Sequence, residues 1–243
     1  MATQFTPIWM EKPPLEQGDV PPGLEYLSIL DELSVVQKKE CLEIFTGWEA
    51  RNRFRILNKE GQQCYFAQEE SSILMRICCG TSRGFTLHIT DNANTEVMRI
   101  KREFKCCTGC PCCANHDHCA LLLTVEAPPG HVIGYVRQEV YCIRMRLSIR
   151  DKDFKPILSV KSPFLVWNAG MCCDTKFSII GSDGETAIGN IKKVFSGLMK
   201  EMFTDADNFT VTFPQDLDVN AKALLLAATF FIDFMFFEKD NTN

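Results

Sequence analysis

A short central segment holds six of the thirteen cysteines of this chain. Residues 106–119 also contain two histidines. Thiolate sulfur and imidazole nitrogen are ligands that Zn²⁺ prefers, and the gap of two residues between neighbouring cysteines is a spacing typical of zinc ligands. One hypothesis is therefore a zinc site, with the candidate ligands Cys107, Cys110, Cys113, His116, His118 and Cys119.

The same segment also fits S-acylation at a membrane surface. Arg99, Lys101, Arg102 and Lys105 precede the cysteines, and each cation near an anionic membrane contributes roughly 1 kcal/mol. Several acyl chains together with a basic patch hold a protein stably, whereas a single chain binds reversibly. A third interpretation is a loop of thiols without a shared role, and the residues alone leave all three open.

Composition places the chain among ordinary globular proteins. It has 243 residues, of which 46% are hydrophobic and 23% charged, so one large or two small domains are expected. The net charge of −5 argues against a nucleic-acid partner recruited by overall charge. Residues 1–17 lack the basic and apolar regions of a signal peptide, so we expect the cysteines to be reduced thiols.

No motif for ordinary catalysis is present. The sequence has no nucleophile elbow, HExxH helix, Walker loop or GxGxxG turn. We therefore predict that the protein is not an enzyme.

The chain divides into a short arm and one domain. Residues 1–23 contain five prolines (Pro7, Pro13, Pro14, Pro21 and Pro22) without regular periodicity. This composition predicts an extended arm, without the PxxP spacing that an SH3 partner recognises. Residues 24–243 are predicted to form a single domain.

A repeated pattern of alternating runs predicts that this domain is mainly β. Four times, two short runs of alternating apolar and polar residues flank a turn rich in Asn, Asp and Gly, which is typical of a β-hairpin. The four hairpins cover residues 54–67, 85–100, 146–160 and 176–189. With further strands near residues 119–125 and 131–136, about twelve antiparallel strands are expected, which favours a closed barrel.

The segment 223–237 is the most apolar in the chain. Its apolar residues include Ala223, Leu224, Leu225, Leu226, Phe230, Phe231, Ile232, Phe234, Phe236 and Phe237. A helix that is apolar on every side must be surrounded by protein or lipid. These 15 residues would span about 22 Å, and a bilayer core needs roughly 20 apolar residues. Asp233 would cost roughly 2.5–3.5 kcal/mol inside a membrane. We therefore predict a helix over 219–238 in the centre of the barrel, with a single membrane span as the alternative.

Several motifs together resemble the phospholipid scramblase family. They are PPGLEYL at 21–27, YFAQEE at 65–70, CPCC at 110–113, APPG at 127–130, IGYV at 133–136, DADNF at 205–209 and IDFMFFE at 232–238. The resemblance covers nearly the whole chain after the arm. It implies a tubby-like β-barrel around a central C-terminal helix. It also implies an ATP-independent, Ca²⁺-stimulated movement of phospholipids between membrane leaflets.

The resemblance also implies palmitate in thioester linkage as a membrane anchor. The candidate palmitoylation sites are Cys106, Cys107, Cys110, Cys112 and Cys113. Palmitoylation would place the protein on the cytoplasmic face of the plasma membrane, lipid-anchored or as a single-pass protein with a cytosolic N-terminus. Its expected partners are membrane phospholipids, an anionic membrane surface and a possible second copy of the chain.

The calcium segment of the family corresponds to residues 205–216. Its ligand positions fall on Asp205, Asp207, Phe209, Val211, Phe213 and Asp216. The sixth position, where such loops have Gly, is Thr210, and the twelfth is Asp instead of Glu. Residues 209–213 alternate as a strand does, and such a strand separates its ends by roughly 16 Å.

We therefore expect weak Ca²⁺ binding centred on Asp205 and Asp207, in the range of about 10⁻⁴–10⁻³ M. The competing interpretation is a solvated turn that enters a strand, followed by Asp218 as the N-cap of the last helix. Two other functions are possible for the same fold: a lipid-anchored binding protein linked to signalling or transcription, and a zinc-dependent interaction module.

Overall fold

A computed structural model of the chain describes residues 8–14, 20–38, 52–72, 78–79, 82–105, 115–141, 144–163, 175–194 and 208–237. The helix α1 (Glu25–Ile29) precedes the first strand, and the helix α2 (Val219–Ile232) follows the last and continues as a π-helical turn, Asp233–Phe237. The strands in the described ranges are β1 (Glu32–Gln37), β2 (Arg53–Leu57), β3 (Gln63–Glu70), β4 (Phe85–Thr90), β5 (Glu96–Arg102), β6 (Leu122–Glu126), β7 (Val132–Tyr141), β8 (Arg144–Asp151), β9 (Pro156–Lys161), β10 (Thr175–Ile180), β11 (Ala187–Val194) and β12 (Asn208–Thr212).

These strands form a closed barrel in which neighbours along the chain are also neighbours in the sheet. β1 pairs with both β2 and β12, which closes the ring. The pairings are antiparallel. The predicted barrel of about twelve strands around a C-terminal helix is thus confirmed.

Apolar and polar residues that alternate in the sequence lie on opposite faces of the barrel wall. In β4, Phe85, Leu87 and Ile89 are buried, whereas the intervening polar residues are half-buried. Successive side chains of a strand point to opposite faces. Strands such as β4 therefore contribute apolar side chains to the interior and polar side chains to the outer surface.

All four predicted hairpins are present, and their turns share one device. A side-chain oxygen at each turn accepts two backbone N–H groups, as in an Asx turn. These oxygens are the Oδ1 atoms of Asn58, Asp91, Asp151 and Asp183. The Asn and Asp residues that the sequence places at the turns therefore fix the register of the hairpins.

The helix α2 occupies the centre of the barrel, as predicted. Each residue from 223 to 232 is 0% exposed. Asp218 caps the helix, because its Oδ1 accepts a hydrogen bond of 3.0 Å from the backbone N–H of Ala221. Val219–Phe237 is long and apolar enough to cross a membrane, but 78% of its most apolar 18-residue stretch is buried inside the protein. Of the two alternatives raised by the sequence, the structure contains the buried helix.

Gly134 in β7 allows the barrel wall to approach this helix closely. A Cβ atom at position 134 would lie 2.8 Å from Leu224 Cδ1 and would overlap the carbonyl oxygen of Arg150. Only a residue without a side chain fits between α2 and β8 at this point.

Lys222 does not extend to solvent. Its side chain is 0% exposed, and its Nζ donates to the carbonyl oxygens of Leu27, Leu30 and Gln215 at 2.9, 2.8 and 2.7 Å. Burial lowers the pKa of Lys222, and nearby acidic residues oppose this shift. The ammonium group joins the start of α2 to the carbonyl end of α1, where a cation is favourable.

The two ends of the barrel differ in their connections. At one end, here called the turn end, short hairpin turns such as 181–186 join the strands, and α2 begins. At the opposite end, here called the connection end, longer segments such as 103–121 and 195–207 leave the strands, and α2 ends. The helix therefore runs from the end that is tied by turns to the end that carries the long segments.

The described part of the N-terminal arm lies along the turn end. Trp9 forms a parallel bridge with Gln63, and Lys12 lies 3.4 Å from the carboxylate of Glu25. Met10 and Val20 pack against the core. The described residues of the arm thus contact the barrel.

Candidate functional site

The segments in which the sequence places chemistry attach to the connection end. The cysteines predicted to be palmitoylated lie in the connection between β5 and β6, and Asp205 and Asp207 lie in the connection between β11 and β12. These cysteines (Cys106, Cys107, Cys110, Cys112 and Cys113) and the two aspartates lie outside the described residues. The described residues beside them define what surrounds the candidate site.

The cations that precede the cysteines are bound within the protein. Arg99 donates to Glu96 at 2.6 Å and Lys101 to Glu126 at 2.6 Å. Arg102 is 3% exposed. Of the expected basic patch formed by Arg99, Lys101, Arg102 and Lys105, Arg102 is thus buried, whereas the paired side chains of Arg99 and Lys101 keep exposures of 29% and 43%.

Lys105 closes the base of the connection that carries the cysteines. Its Nζ donates to the carbonyl oxygens of Asp117 and Ala120 at 2.6 and 2.7 Å. The preceding Phe104 is 45% exposed. A large exposed aromatic side chain thus lies two residues before the first candidate palmitoylation site.

The described half of the alternative zinc set is not assembled as a metal site. His116 and His118 lie exposed in a turn, and Cys119 is in a disulfide, contrary to the expectation that the cysteines are reduced. In the ranges that the structure describes, no three potential ligands come together around a metal position. Cys107, Cys110 and Cys113 fall outside those ranges.

The strand β12 divides the candidate calcium residues. Phe209, Val211 and Phe213 point into the core, with exposures of 1%, 0% and 4%. Residues 208–212 pair with both β1 and β11, so their backbone belongs to the sheet and does not curl around an ion. Asp216 lies at the turn end, whereas Asp205 and Asp207 attach at the connection end.

The six calcium positions therefore do not form one loop. The separation follows from the strand pattern of residues 209–213, which the sequence already indicated. What remains of the calcium hypothesis is the pair Asp205 and Asp207.

An aromatic collar surrounds the end of α2 at the connection end. We use this name for Phe85, Phe177 and Phe209 of the wall and Phe234, Phe236 and Phe237 of the π-helical turn. Phe234 stacks on Phe85 with ring centroids 4.3 Å apart, and the rings of Phe237 and Phe209 are 5.6 Å apart. The collar holds the last turn of the helix against the wall.

Three cations lie over the rings of the collar. Arg83 lies 5.3 Å from the ring of Phe234, Arg102 lies 4.5 Å from that of Phe85, and Nζ of Lys193 lies 3.7 Å from that of Phe237. A cation over an aromatic face contributes about 0.5–1 kcal/mol at exposed sites and about 2 kcal/mol where water is excluded. The end of the helix is thus held by charge as well as by apolar contact.

A buried ion pair positions one of these cations. Nε and Nη2 of Arg83 each lie 3.1 Å from Oε1 of Glu69, and the two side chains are 4% and 0% exposed. Asn52 donates to the other oxygen of Glu69 at 2.7 Å. Arg102 donates to the carbonyl oxygen of Arg83. Glu69 therefore fixes the guanidinium group that covers Phe234.

The sequence analysis missed this network, although a signal was present. In β3 the buried residues Tyr65, Ala67 and Glu69 alternate with Phe66 and Gln68, which are half-buried. A carboxylate at an inward position of an alternating strand is expected to have a buried partner, because an unpaired buried charge is costly. The identity of the partner, Arg83, could not be inferred from its own local pattern.

Comparisons with known proteins agree with one another. The profile of the family described as Scramblase matches residues 10–239. Phospholipid scramblase 1 of Rattus norvegicus is 43% identical over 232 residues, which are 95% of this chain and 67% of that protein. Phospholipid scramblase 2 of Homo sapiens is 40% identical over 95% of this chain and 75% of that protein.

A further relative and a solved structure complete the comparison. Phospholipid scramblase family member 5 of Homo sapiens is 39% identical over 90% of this chain and 78% of that protein. An X-ray structure of a protein from Arabidopsis thaliana aligns with 89% of this chain and 99% of its own length, with a TM-score of 0.47 and 11% identity.

Proposed function

Because the chain belongs to the Scramblase family, we propose that it moves phospholipids in both directions between membrane leaflets, without ATP and stimulated by Ca²⁺. The observation that carries the proposal is the family match over residues 10–239, which includes every described strand and the buried helix. Relatives that cover 95% of this chain are named phospholipid scramblases.

Palmitate on the cysteines of the β5–β6 connection would hold the protein on the cytoplasmic face of the plasma membrane. Two features support this part of the proposal. The connection leaves the barrel beside the exposed Phe104, and an aromatic side chain next to acyl chains can enter the membrane interface with them. The segment is also anchored at its base by Lys105.

Calcium would act through Asp205 and Asp207. These residues precede β12 directly, so an ion bound there would lie at the connection end, on the same side of the barrel as the cysteines. Two carboxylates provide only part of the six to eight oxygens that Ca²⁺ takes. Phospholipid phosphates or other groups of the protein would supply the remainder, which favours weak binding that strengthens at a membrane.

The packing of the barrel restricts the route of the lipid. A headgroup that crosses roughly 30 Å of hydrocarbon needs a polar path. Among the described residues the interior is filled by α2 and by apolar wall side chains. The lipid would therefore move outside the barrel, along its membrane-facing surface or between copies of the chain.

The test is lipid movement in liposomes that contain the purified protein and a quenchable fluorescent phospholipid. We expect quenching of inner-leaflet lipid to increase on addition of Ca²⁺ in the absence of ATP. Inner-leaflet fluorescence that stays protected, with Ca²⁺ bound and acyl groups present, would contradict the proposal.

Two further experiments test its parts. Hydroxylamine should release metabolically incorporated palmitate from the protein, and replacing the five cysteines by serine should abolish incorporation; unchanged incorporation would exclude these sites.

Calorimetry should detect Ca²⁺ binding to the wild type and a loss of heat in the Asp205→Ala/Asp207→Ala variant. Identical traces would exclude this pair as the calcium site.

A second function is favoured by the filled barrel. A sealed interior suits a lipid-anchored binding protein that shares the fold but does not transport lipid. The liposome experiment separates the two functions, because such a protein would be acylated and membrane-bound, and yet lipid movement would stay at the rate of protein-free liposomes.

A further inference from the structure

A row of cations lies on the outer surface of the strands β8 to β11. We call it the basic face and define it by Arg146 of β8, Lys161 of β9, Lys176 of β10 and Lys192 of β11. Lys176 is exposed and the other three are partly exposed. Three strand spacings cover about 14 Å, so the basic face brings four positive charges into an area of a few lipid headgroups.

The register of the strands places like charges directly opposite each other. Arg146 pairs with Lys161 across β8 and β9, and Lys176 pairs with Lys192 across β10 and β11. Like charges in directly opposite positions destabilise a sheet. A fold that retains two such pairs on adjacent strand pairs carries a repulsion that a bound anion would relieve.

The acidic residues around the basic face do not form ion pairs with three of its four cations. Glu139 is opposite Arg146 in the register, but its carboxylate lies 2.9 Å from Arg150 and 3.8 Å from Arg137. Asp183 and Glu185 lie in the turn beyond β10. No carboxylate in the described ranges forms an ion pair with Arg146, Lys161 or Lys176, and Lys161 donates instead to the carbonyl oxygen of Gly184 at 3.0 Å.

Unused hydrogen-bonding groups lie beside these charges. Nε of Arg146, Nε of Arg150 and Oγ of Ser159 are buried and have no hydrogen-bond partner in the described part of the protein. Ser159 is opposite Ser148, which lies between the two arginines in β8. Buried polar groups are usually paired, so these three atoms beneath the cations are an exception within the fold.

The geometry points to the basic face as the surface that docks on an anionic membrane. Charge complementarity identifies the occupant: each Lys or Arg close to a bilayer with acidic headgroups adds a favourable interaction. Arg99 and Lys101, which the sequence suggested for this role, each form an ion pair with a carboxylate, whereas Arg146, Lys161 and Lys176 have no such pair in the described ranges. The inference rests on the proposed function, which requires a membrane, and it names the side of the barrel that meets it.

The experiment uses the full chain produced without acylation and vesicles of phosphatidylcholine with or without 30% phosphatidylserine, at about 0.1 M salt. Flotation measures the bound fraction of the wild type, of Lys161→Gln/Lys176→Gln and of the matched control Lys59→Gln/Lys152→Gln. The control removes the same charge from two exposed turn residues outside the basic face.

We expect the wild type to bind only the anionic vesicles and the first variant to bind about 30-fold more weakly, the effect of two cations at about 1 kcal/mol each. The control should bind like the wild type, and 0.5 M salt should release the protein. Because the substitutions remove two like-charge pairs, the first variant should unfold at or above the temperature of the wild type, which excludes misfolding as the cause.

Three results would overturn the inference: no binding of the wild type to anionic vesicles, equal binding of the wild type and the first variant, or equal losses in the two variants, which would show that only net charge matters. The acylated protein in the lipid-movement experiment separates this outcome from the proposed function. Active lipid movement by a protein whose basic face does not bind vesicles would overturn the docking surface alone.

Discussion

The turn end and the connection end of the barrel are built on different principles. At the turn end, short hairpins are fixed by local side-chain oxygens such as those of Asn58 and Asp91, and Lys222 ties α2 to α1. At the connection end, residues distant in sequence hold the helix, through the pair Glu69 and Arg83 and the aromatic collar. The segments with candidate lipid and calcium chemistry attach only to this second end.

This difference indicates how the molecule separates folding from function. Turns that are stabilised by local hydrogen bonds fix the register of the strands that they join. The long connections are then free to differ in sequence, since loops positioned by a rigid scaffold commonly carry function. The collar is the point at which the two roles would meet, because it holds the end of α2 at the connection end, where the segments with candidate lipid and calcium chemistry attach.

The largest effect should come from the buried ion pair at the connection end. Glu69→Ala leaves the guanidinium group of Arg83 buried without its carboxylate, and breaking a buried pair in this way costs about 3–5 kcal/mol. Urea unfolding measures the loss. The neighbouring exposed Glu70→Ala should cost less than about 1 kcal/mol. Equal effects of the two substitutions would show that the pair does not secure this end.

A somewhat smaller effect is expected from the buried lysine at the turn end. Lys222→Met removes the ammonium group that donates to three carbonyl oxygens, and each buried group left without a partner costs about 1–3 kcal/mol. Part of this cost is offset, because the variant no longer buries a charge. We expect a net loss of about 2 kcal/mol in the free energy of unfolding. The exposed Lys59→Met serves as the control, and a stability of Lys222→Met at or above that of the wild type would refute the role of Lys222 as a tie.

Single hairpin caps should contribute less. Asp151→Ala removes the oxygen that accepts the N–H groups of Asp153 and Lys155, both at 2.9 Å. Two such hydrogen bonds are worth about 1–2 kcal/mol. Asp153→Ala, two residues away, is the matched control for charge, and thermal unfolding of both variants compares them. If Asp153→Ala is as destabilising, charge and not capping determines the stability of the turn.

The smallest effect concerns acid stability near the turn end. The hydrogen bonds from Arg99 and the hydrogen bond with His88 lower the pKa of Glu96, although burial opposes them. A carboxylate with a lowered pKa in the folded state stabilises the protein above its ordinary value of 4.5, and this stabilisation is lost as the pH falls through the folded-state pKa.

The melting temperature of the wild type should therefore exceed that of Glu96→Gln at pH 7, and the difference should shrink toward pH 3. Glu60→Gln, in an exposed turn, should show no such change. A difference that is constant over this pH range would contradict the role assigned to the charge of Glu96.

The sequence predicted the turn end well because its signals are local. Alternation and Asn, Asp or Gly at the turns suffice to place hairpins, and an apolar segment bounded by Asp218 suffices to place α2. One turn residue could not be foreseen: Phe154 has a φ of +64°, at a position where the other hairpins have Gly61, Asn94 and Gly184. Its ring packs on Tyr135 and under Arg150, a contact between neighbouring hairpins that no local pattern reveals.

At the connection end fewer contacts can be predicted from the sequence, because the partners there are remote along the chain. The position of the cations before the cysteines suggests a basic patch. In the fold, however, Lys101 donates a hydrogen bond to Glu126, and Arg102 donates one to the carbonyl oxygen of Arg83. The basic face could not be predicted from the sequence either, since Arg146, Lys161 and Lys176 come together only through strand register. Which charged residues cluster on a sheet depends on how its strands pair, and the composition of the chain does not specify that pairing.

The central claim is that α2 stays inside the closed barrel while the protein works at a membrane. Hydrogen exchange of the acylated protein on vesicles, with Ca²⁺ present and lipid movement recorded in parallel, tests it directly. We predict that the amides of β7, β8 and α2 keep the same protection on vesicles as in solution. Loss of protection in β7 and β8, while the amides of α2 stay protected, would mean that the helix has left the barrel for the bilayer and would contradict the account.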